Sequence, residues 1–180
     1  MITITRGDVT LAIEALPLPT KVTDLIDKND KLLQDMDSHL TGNIGGKSSK
    51  YDRQTSLSDT SLEKLNTLRD RLEKAFTGSN RSEFPKDITE RIWCFGPRKY
   101  GPNMLINCVD GYNRPSIWQM LSSNEDTESR LREFDSSMVN GFQLATLTGP
   151  LCSEPMRGVA FVVRKWDTNN SSAPNPTSKF

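Results

Sequence analysis

The sequence contains one histidine, His39, and three cysteines, Cys94, Cys108 and Cys152, with no C-x-x-C pair among them. That set is too small for a zinc site, and an odd number of scattered thiols makes no disulfide framework. Reduced thiols point to a cytoplasmic or nuclear setting, with the cytoplasm as the expectation. No apolar run approaches the ~20 residues that cross a bilayer, and residues 1–9 lack the apolar core of a signal peptide. A membrane partner is therefore not expected. Lys plus Arg and Asp plus Glu stand at 23 each, so no global field draws the chain to DNA, RNA or an anionic membrane. Any such contact has to come from a local patch. Apolar residues make up only 34% of the chain, which implies that part of it is solvated loop. At 180 residues there is room for one domain, or for one domain with a sizeable insertion.

Val9, Leu11, Ile13 and Ala15 have the period of a half-buried strand, and Pro17 and Pro19 stop it. Thr20 can cap an amphipathic helix that carries Val22, Leu25, Ile26, Leu33 and Met36 to about Ser38, where Gly42, Gly45 and Gly46 end it. Residues 41–59, rich in Gly, Ser, Lys and Asp, read as a mobile loop. A capping box of Thr60 and Glu63 opens a second helix with Leu62, Leu65, Leu68, Leu72 and Phe76 on one stripe before Gly78. Pro85 and Asp87 open a helical turn that ends near Arg91, and a short apolar run, Ile92 to Phe95, leads into Gly96-Pro97. Residues 103–109 read as a strand, and 126–147 as a helix with Leu131, Phe134, Met138, Phe142, Leu144 and Ala145 on its apolar stripe. Gly141 inside that helix suggests close packing on a neighbour. Residues 158–166 form a last strand, and the Thr-, Asn-, Ser- and Pro-rich stretch after it reads as a disordered tail over 168–180. The pattern of strand, two-helix insertion, strand, helix and strand predicts an α+β sandwich with helices on one sheet face.

Chemistry is scarce along this chain. The segment from Gly42 to Ser48 ends in the Gly-Lys-Ser of a phosphate-binding loop, but Thr41 stands where the first glycine belongs, and a helix rather than a strand precedes it. His39 has no nucleophile near it in any motif and reads as surface. Glu125, Asp126, Glu133 and Asp135 read as a solvated helix face, and the three cysteines as inert structural thiols. No catalytic, cofactor-binding or metal-ligating residue is expected. The remaining oddity is a density of turn residues around apolar anchors: Trp93-Cys94-Phe95-Gly96-Pro97, Gly101-Pro102-Asn103, and Gly149-Pro150 through Gly158. Proline fixes φ and glycine permits positive φ, so these segments hold a rigid backbone shape.

Together with Gly141 to Thr146, these segments closely resemble domain IV of the elongation factor 2 and elongation factor G family of translational GTPases. The likeness runs from about Val9 to Trp166, with residues 92–107 (IWCFGPRKYGPNMLIN) close to the family's eukaryotic signature. Leu144 stands where elongation factor 2 usually carries tryptophan. Thr148-Gly149-Pro150 and residues 161–167 (FVVRKWD) look more like the elongation factor-like GTPase branch. The resemblance implies a split βαβ sandwich shared with a small-subunit ribosomal protein, with a left-handed crossover between parallel strands, against the general preference. It divides the chain into an N-terminal flank, 1–8, a domain IV segment, 9–167, with an insertion at 20–90, and the tail.

In function, the resemblance implies a ribosome-contacting segment of a longer protein that uses GTP and magnesium. Its partners would be the large (60S) ribosomal subunit and its RNA, the Shwachman-Bodian-Diamond protein, and an anti-association factor released late in subunit maturation. The family's GTPase domain, the helix that follows Trp166 and the C-terminal domain are not in this sequence, so the chain reads as a fragment. The alternatives are domain IV of elongation factor 2, acting in translocation, and an autonomous protein-interaction module. Arg98, Lys99 and Tyr100, between two Gly-Pro turns, are the candidate ribosome contacts: two cations beside a ring able to stack on a base.

Overall fold

The structure, a computed structural model, describes residues 1–44, 57–78, 83–122 and 134–168. Its strands are β1 (Ile2–Arg6), β2 (Val9–Pro17), β3 (Ile92–Gly96), β4 (Asn103–Asn107) and β5 (Val159–Thr168). The helices are α1 (Thr20–Lys28), α2 (Asp30–Ile44), α3 (Asp59–Thr77), α4 (Ile117–Ser122) and α5 (Asp135–Leu147), with a 3-10 turn at Ile88–Arg91. The strands form one sheet in the order β1-β2-β5-β4-β3. Among the described residues only the β4–β5 strand pair is parallel, and the connection between them carries α4 and α5. The fold is α+β with a mixed sheet.

Successive side chains of a strand face opposite sides, and here each side has its own core. Met104, Ile106, Ala160 and Val162 pack with Val22, Ile26, Leu65 and Leu72 from α1 and α3. Their neighbours Leu105 and Val163 pack with Trp93, Trp166 and Phe142 of α5. Helices therefore cover both faces of the sheet, not one. Between β2 and β3, α3 buries Leu65, Leu68, Leu72 and Phe76 along one stripe, and each such burial is worth ~1.5–3 kcal/mol.

Several local expectations change. Residues 2–6, read as flank, form an antiparallel edge strand on β2, turned by Gly7 at φ 58°. The alternating Ile and Thr of that segment suit a pleated edge. The helix expected from Thr20 to Ser38 divides at Asn29, whose side-chain amide donates to the Leu25 carbonyl at 2.7 Å, and α2 runs on to Ile44. Ser58 rather than Thr60 caps α3, its Oγ accepting from the Ser61 amide at 3.2 Å. Helix α5 begins at Asp135, and residues 126–133 of the expected helix lie outside the described residues. The expected stripe on α5 holds in part: Phe142 is buried and Met138 packs against its cluster, but Phe134, Leu144 and Ala145 are exposed, and Asp135 and Thr146 are buried. A Cβ at Gly141 would meet no described atom within 4 Å, so the close packing expected there is not found. The loop expected over 41–59 and the tail lie largely outside the described residues.

Candidate functional site

Strands β3 and β4 are joined by a tight turn of residues 97–102, and the turn is held at both ends. Gly96 lies under α5, where a Cβ would stand 2.5 Å from Phe142 Cε1 and 2.9 Å from Thr146 Oγ1. Gly101 folds onto Pro97, where a Cβ would meet the proline Cδ at 2.4 Å, and its amide donates to the Pro97 carbonyl at 2.9 Å. Two amide side chains then pin the turn. Fully buried Asn103 donates to the carbonyls of Gly96 (2.9 Å) and Met156 (2.7 Å), and its Oδ1 accepts from the Val159 amide (3.0 Å). Gln143 of α5 donates to the Phe95 carbonyl at 2.7 Å and accepts from the Lys99 amide at 2.8 Å.

This frame holds Arg98 at φ 57° and Lys99 at φ 65°, a left-handed backbone that non-glycine residues adopt at a cost. The turn brings Arg98, Lys99 and Tyr100 together, but their side chains diverge. Lys99 Nζ folds back to Asp37 on α2 at 3.1 Å. Tyr100 is half-buried and packs against the helix-covered core. Arg98 is exposed and enters no ion pair among the described residues. Of the two cations expected to point outward, one is paired with Asp37.

A buried polar cluster braces the frame from behind. Asp135, read from sequence as a solvated acid, accepts from Arg114 Nε at 2.9 Å, Arg114 Nη2 at 3.2 Å, Tyr112 Oη at 2.7 Å and Trp93 Nε1 at 3.3 Å. The Arg114 guanidinium also lies 4.9 Å from the centre of the Trp93 ring. These bonds tie the start of α5 to β3 and to the loop before α4. The sequence pattern does not single out the roles of Asn103, Gln143 and Arg114; only the Gly-Pro punctuation marks the region.

The other expected chemistry is placed as follows. Burial pushes the Cys94 thiol up to about 12, and burial also raises Cys108, so neither is a thiolate nucleophile near neutral pH. Cys152 is exposed. His39 is half-buried within α2. Helix α2 runs through Gly42, Asn43 and Ile44, so the first half of the Gly-Lys-Ser segment is helical, and the rest lies outside the described residues. Among the described residues no cluster of acidic, histidine or cysteine side chains could hold a metal, and no helix is long and apolar enough to cross a membrane.

A mixed sheet with a rigid, cation-bearing β3–β4 turn is consistent with a translational GTPase domain. The family described as elongation factor-like GTPase 1-like domain matches residues 14–108, just over half of the chain, and the chain belongs to it. Elongation factor-like GTPase 1 of mouse is 36% identical over 171 residues, covering 94% of this chain and 14% of that protein. The human protein of the same name is 37% identical over 170 residues, covering 93% of this chain and 14% of the relative. Ribosome assembly protein 1 of Schizosaccharomyces pombe is 27% identical over 177 residues, covering 94% of the chain and 16% of the relative. The chain thus spans about one seventh of the length of these relatives.

Proposed function

We propose that this chain is the domain IV segment of a cytoplasmic elongation factor-like GTPase acting in late maturation of the large ribosomal subunit. In this reading it contacts the subunit and, with the Shwachman-Bodian-Diamond protein, helps to release the anti-association factor. The name of the fission-yeast relative supports the ribosomal setting. The observation that carries the contact is the turn itself. Asn103 and Gln143 hold its backbone, and Arg98 stands outward from it. A pre-ordered cation loses little entropy when it meets phosphate. Binding of GTP and magnesium belongs, in this reading, to other segments of the longer protein. The helical start of the Gly-Lys-Ser segment does not fit a phosphate cradle, which needs a loop of free amides.

The test replaces Arg98 with Glu in the longer protein. Affinity for purified large subunits should fall, the log-log salt slope should shrink by roughly 0.9 for one phosphate contact, and cells should accumulate large subunits that retain the anti-association factor. Unchanged affinity with normal subunit release would remove the turn from the contact surface. Slowed peptide elongation with normal subunit maturation would move the segment to the translocation role.

A further inference from the structure

Helices α1 and α3 pack side by side, and between their outer faces runs an open groove of about 350 Å3 lined by Lys21, Asp24, Leu25, Lys28, Arg71, Lys74 and Ala75. Lys21 and Lys28 are seven residues apart on α1, a rise of about 10.5 Å. Arg71 and Lys74 face them from α3. All four cations are exposed, and none enters an ion pair among the described residues. The one acid among the described lining residues, Asp24, is paired with Arg157, which reaches it at 3.1 Å and Asp27 at 2.6 Å. Asp70 and Glu73 lie beside Lys74 in an adjoining groove and bound the positive strip on that side.

We propose that this groove binds the phosphate backbone of helical RNA, as a contact separate from the Arg98 turn. Four uncompensated cations spread along an open strip match a line of phosphates. Leu25 and Ala75 are partly buried against the core and form a shallow floor without the deep pocket in which a protein partner seats an anchor. Among the described residues the lining has no aromatic side chain and so no platform for splayed bases, and the fit is to the backbone of a duplex. The choice of RNA over DNA rests on the ribosomal reading above.

The 180-residue chain is tested by fluorescence anisotropy with a 20-base-pair RNA duplex between 50 and 200 mM salt, with a single-stranded RNA 20-mer and polyaspartate as comparison ligands. Replacing Lys21, Lys28, Arg71 and Lys74 together by Gln should weaken duplex binding at least tenfold. It should also flatten the log-log salt slope by roughly 0.9 per lost phosphate contact. A control with Arg6, Lys31 and Lys86 replaced by Gln should lose less than a third of that slope. Circular dichroism of both variants should match the parent, since every substituted side chain is exposed. Equal losses in the two variants, unchanged binding in the groove variant, or binding of single strands or polyaspartate tighter than duplex would each overturn the assignment. Placing the groove substitutions in the longer protein separates the two proposals. If large-subunit affinity survives them but falls with Arg98→Glu, the groove fails and the ribosomal reading stands. If neither matters, both fail.

Discussion

Replacing Asp135 by Ala removes one carboxylate that accepts four hydrogen bonds, two from Arg114 and one each from Tyr112 and Trp93. Arg114 and Asp135 side chains are each only 5% exposed, so water does not readily take the place of the lost partner. The guanidinium would keep the Pro115 carbonyl at 3.0 Å and the face of Trp93, neither of which carries a formal negative charge. Breaking a buried ion pair from one side costs ~3–5 kcal/mol, a large share of the ~5–15 kcal/mol that holds a domain folded. Arg114→Leu should cost a similar amount. The double variant Arg114→Leu with Asp135→Ala should cost less than the two singles added, because it leaves no uncompensated charge. It still takes the Asp135 acceptor from the Trp93 indole N–H, at ~1–3 kcal/mol. Urea titrations of the four proteins give the coupling energy, expected at about 2 kcal/mol or more. Amide exchange adds a second readout: α5 carries Gln143, so loosening its first turn should speed exchange at Lys99. A loss under about 1 kcal/mol for Asp135→Ala, or additive singles, would show that the cluster does not brace the fold.

Gly96→Ala would set a methyl 2.5 Å from Phe142 Cε1, an overpacking that should cost ~1–3 kcal/mol and lower the melting temperature. Adding Phe142→Leu should recover part of the loss, and no recovery would place the strain elsewhere. Cys94 links stability to alkaline pH. Burial holds its thiol at about 12 against an ordinary 9.0, so the unfolded chain gives up this proton first. The stability it contributes should be complete below about pH 9 and fall by up to ~1.4 kcal/mol per pH unit as pH rises toward 12. Urea midpoints of the parent and Cys94→Ala, followed from about pH 8 to about pH 10.5, should therefore converge, and parallel curves would refute burial as the cause.

How far the sequence is legible follows from where each determinant lies. The apolar stripe of α3 depends on local periodicity and can be read from the order of residues alone, whereas in the strand Val9–Pro17 the pattern marks the element but not its face, since Ala12 is buried while Val9 and Ala15 are exposed and the register shifts at Ala12/Ile13. Residues 2–6 carry a β-branched alternation, but the strand is exposed throughout, so no buried face marks it in the pattern. Asp135 misleads for the opposite reason. A carboxylate beside Phe134 looks solvated on a helical wheel, whereas its burial depends on Arg114 in a preceding loop and on Trp93 in β3. The Gly-Pro turns mark the place of Arg98, Lys99 and Tyr100, but the fate of the Lys99 charge is decided by Asp37 in an earlier helix.

The charge balance shows the same limit more sharply. Equal numbers of acids and bases exclude a global field, yet they place no bound on any one surface. Lys21 and Lys28 stand on one helix and Arg71 and Lys74 on another, and each pair alone is an ordinary solvated face. Packing α1 on α3 turns the two faces into opposite walls of one groove. Arg157, from the segment just before β5, then engages Asp24, the acid that would otherwise have balanced those walls, together with Asp27 outside the lining. A chain of zero net charge thus gathers on one strip four cations that enter no ion pair among the described residues. Arg157→Ala should therefore weaken duplex RNA binding about as a groove lysine does, even though Arg157 does not line the groove. Unchanged binding in that variant would mean that Asp24 does not oppose phosphate there.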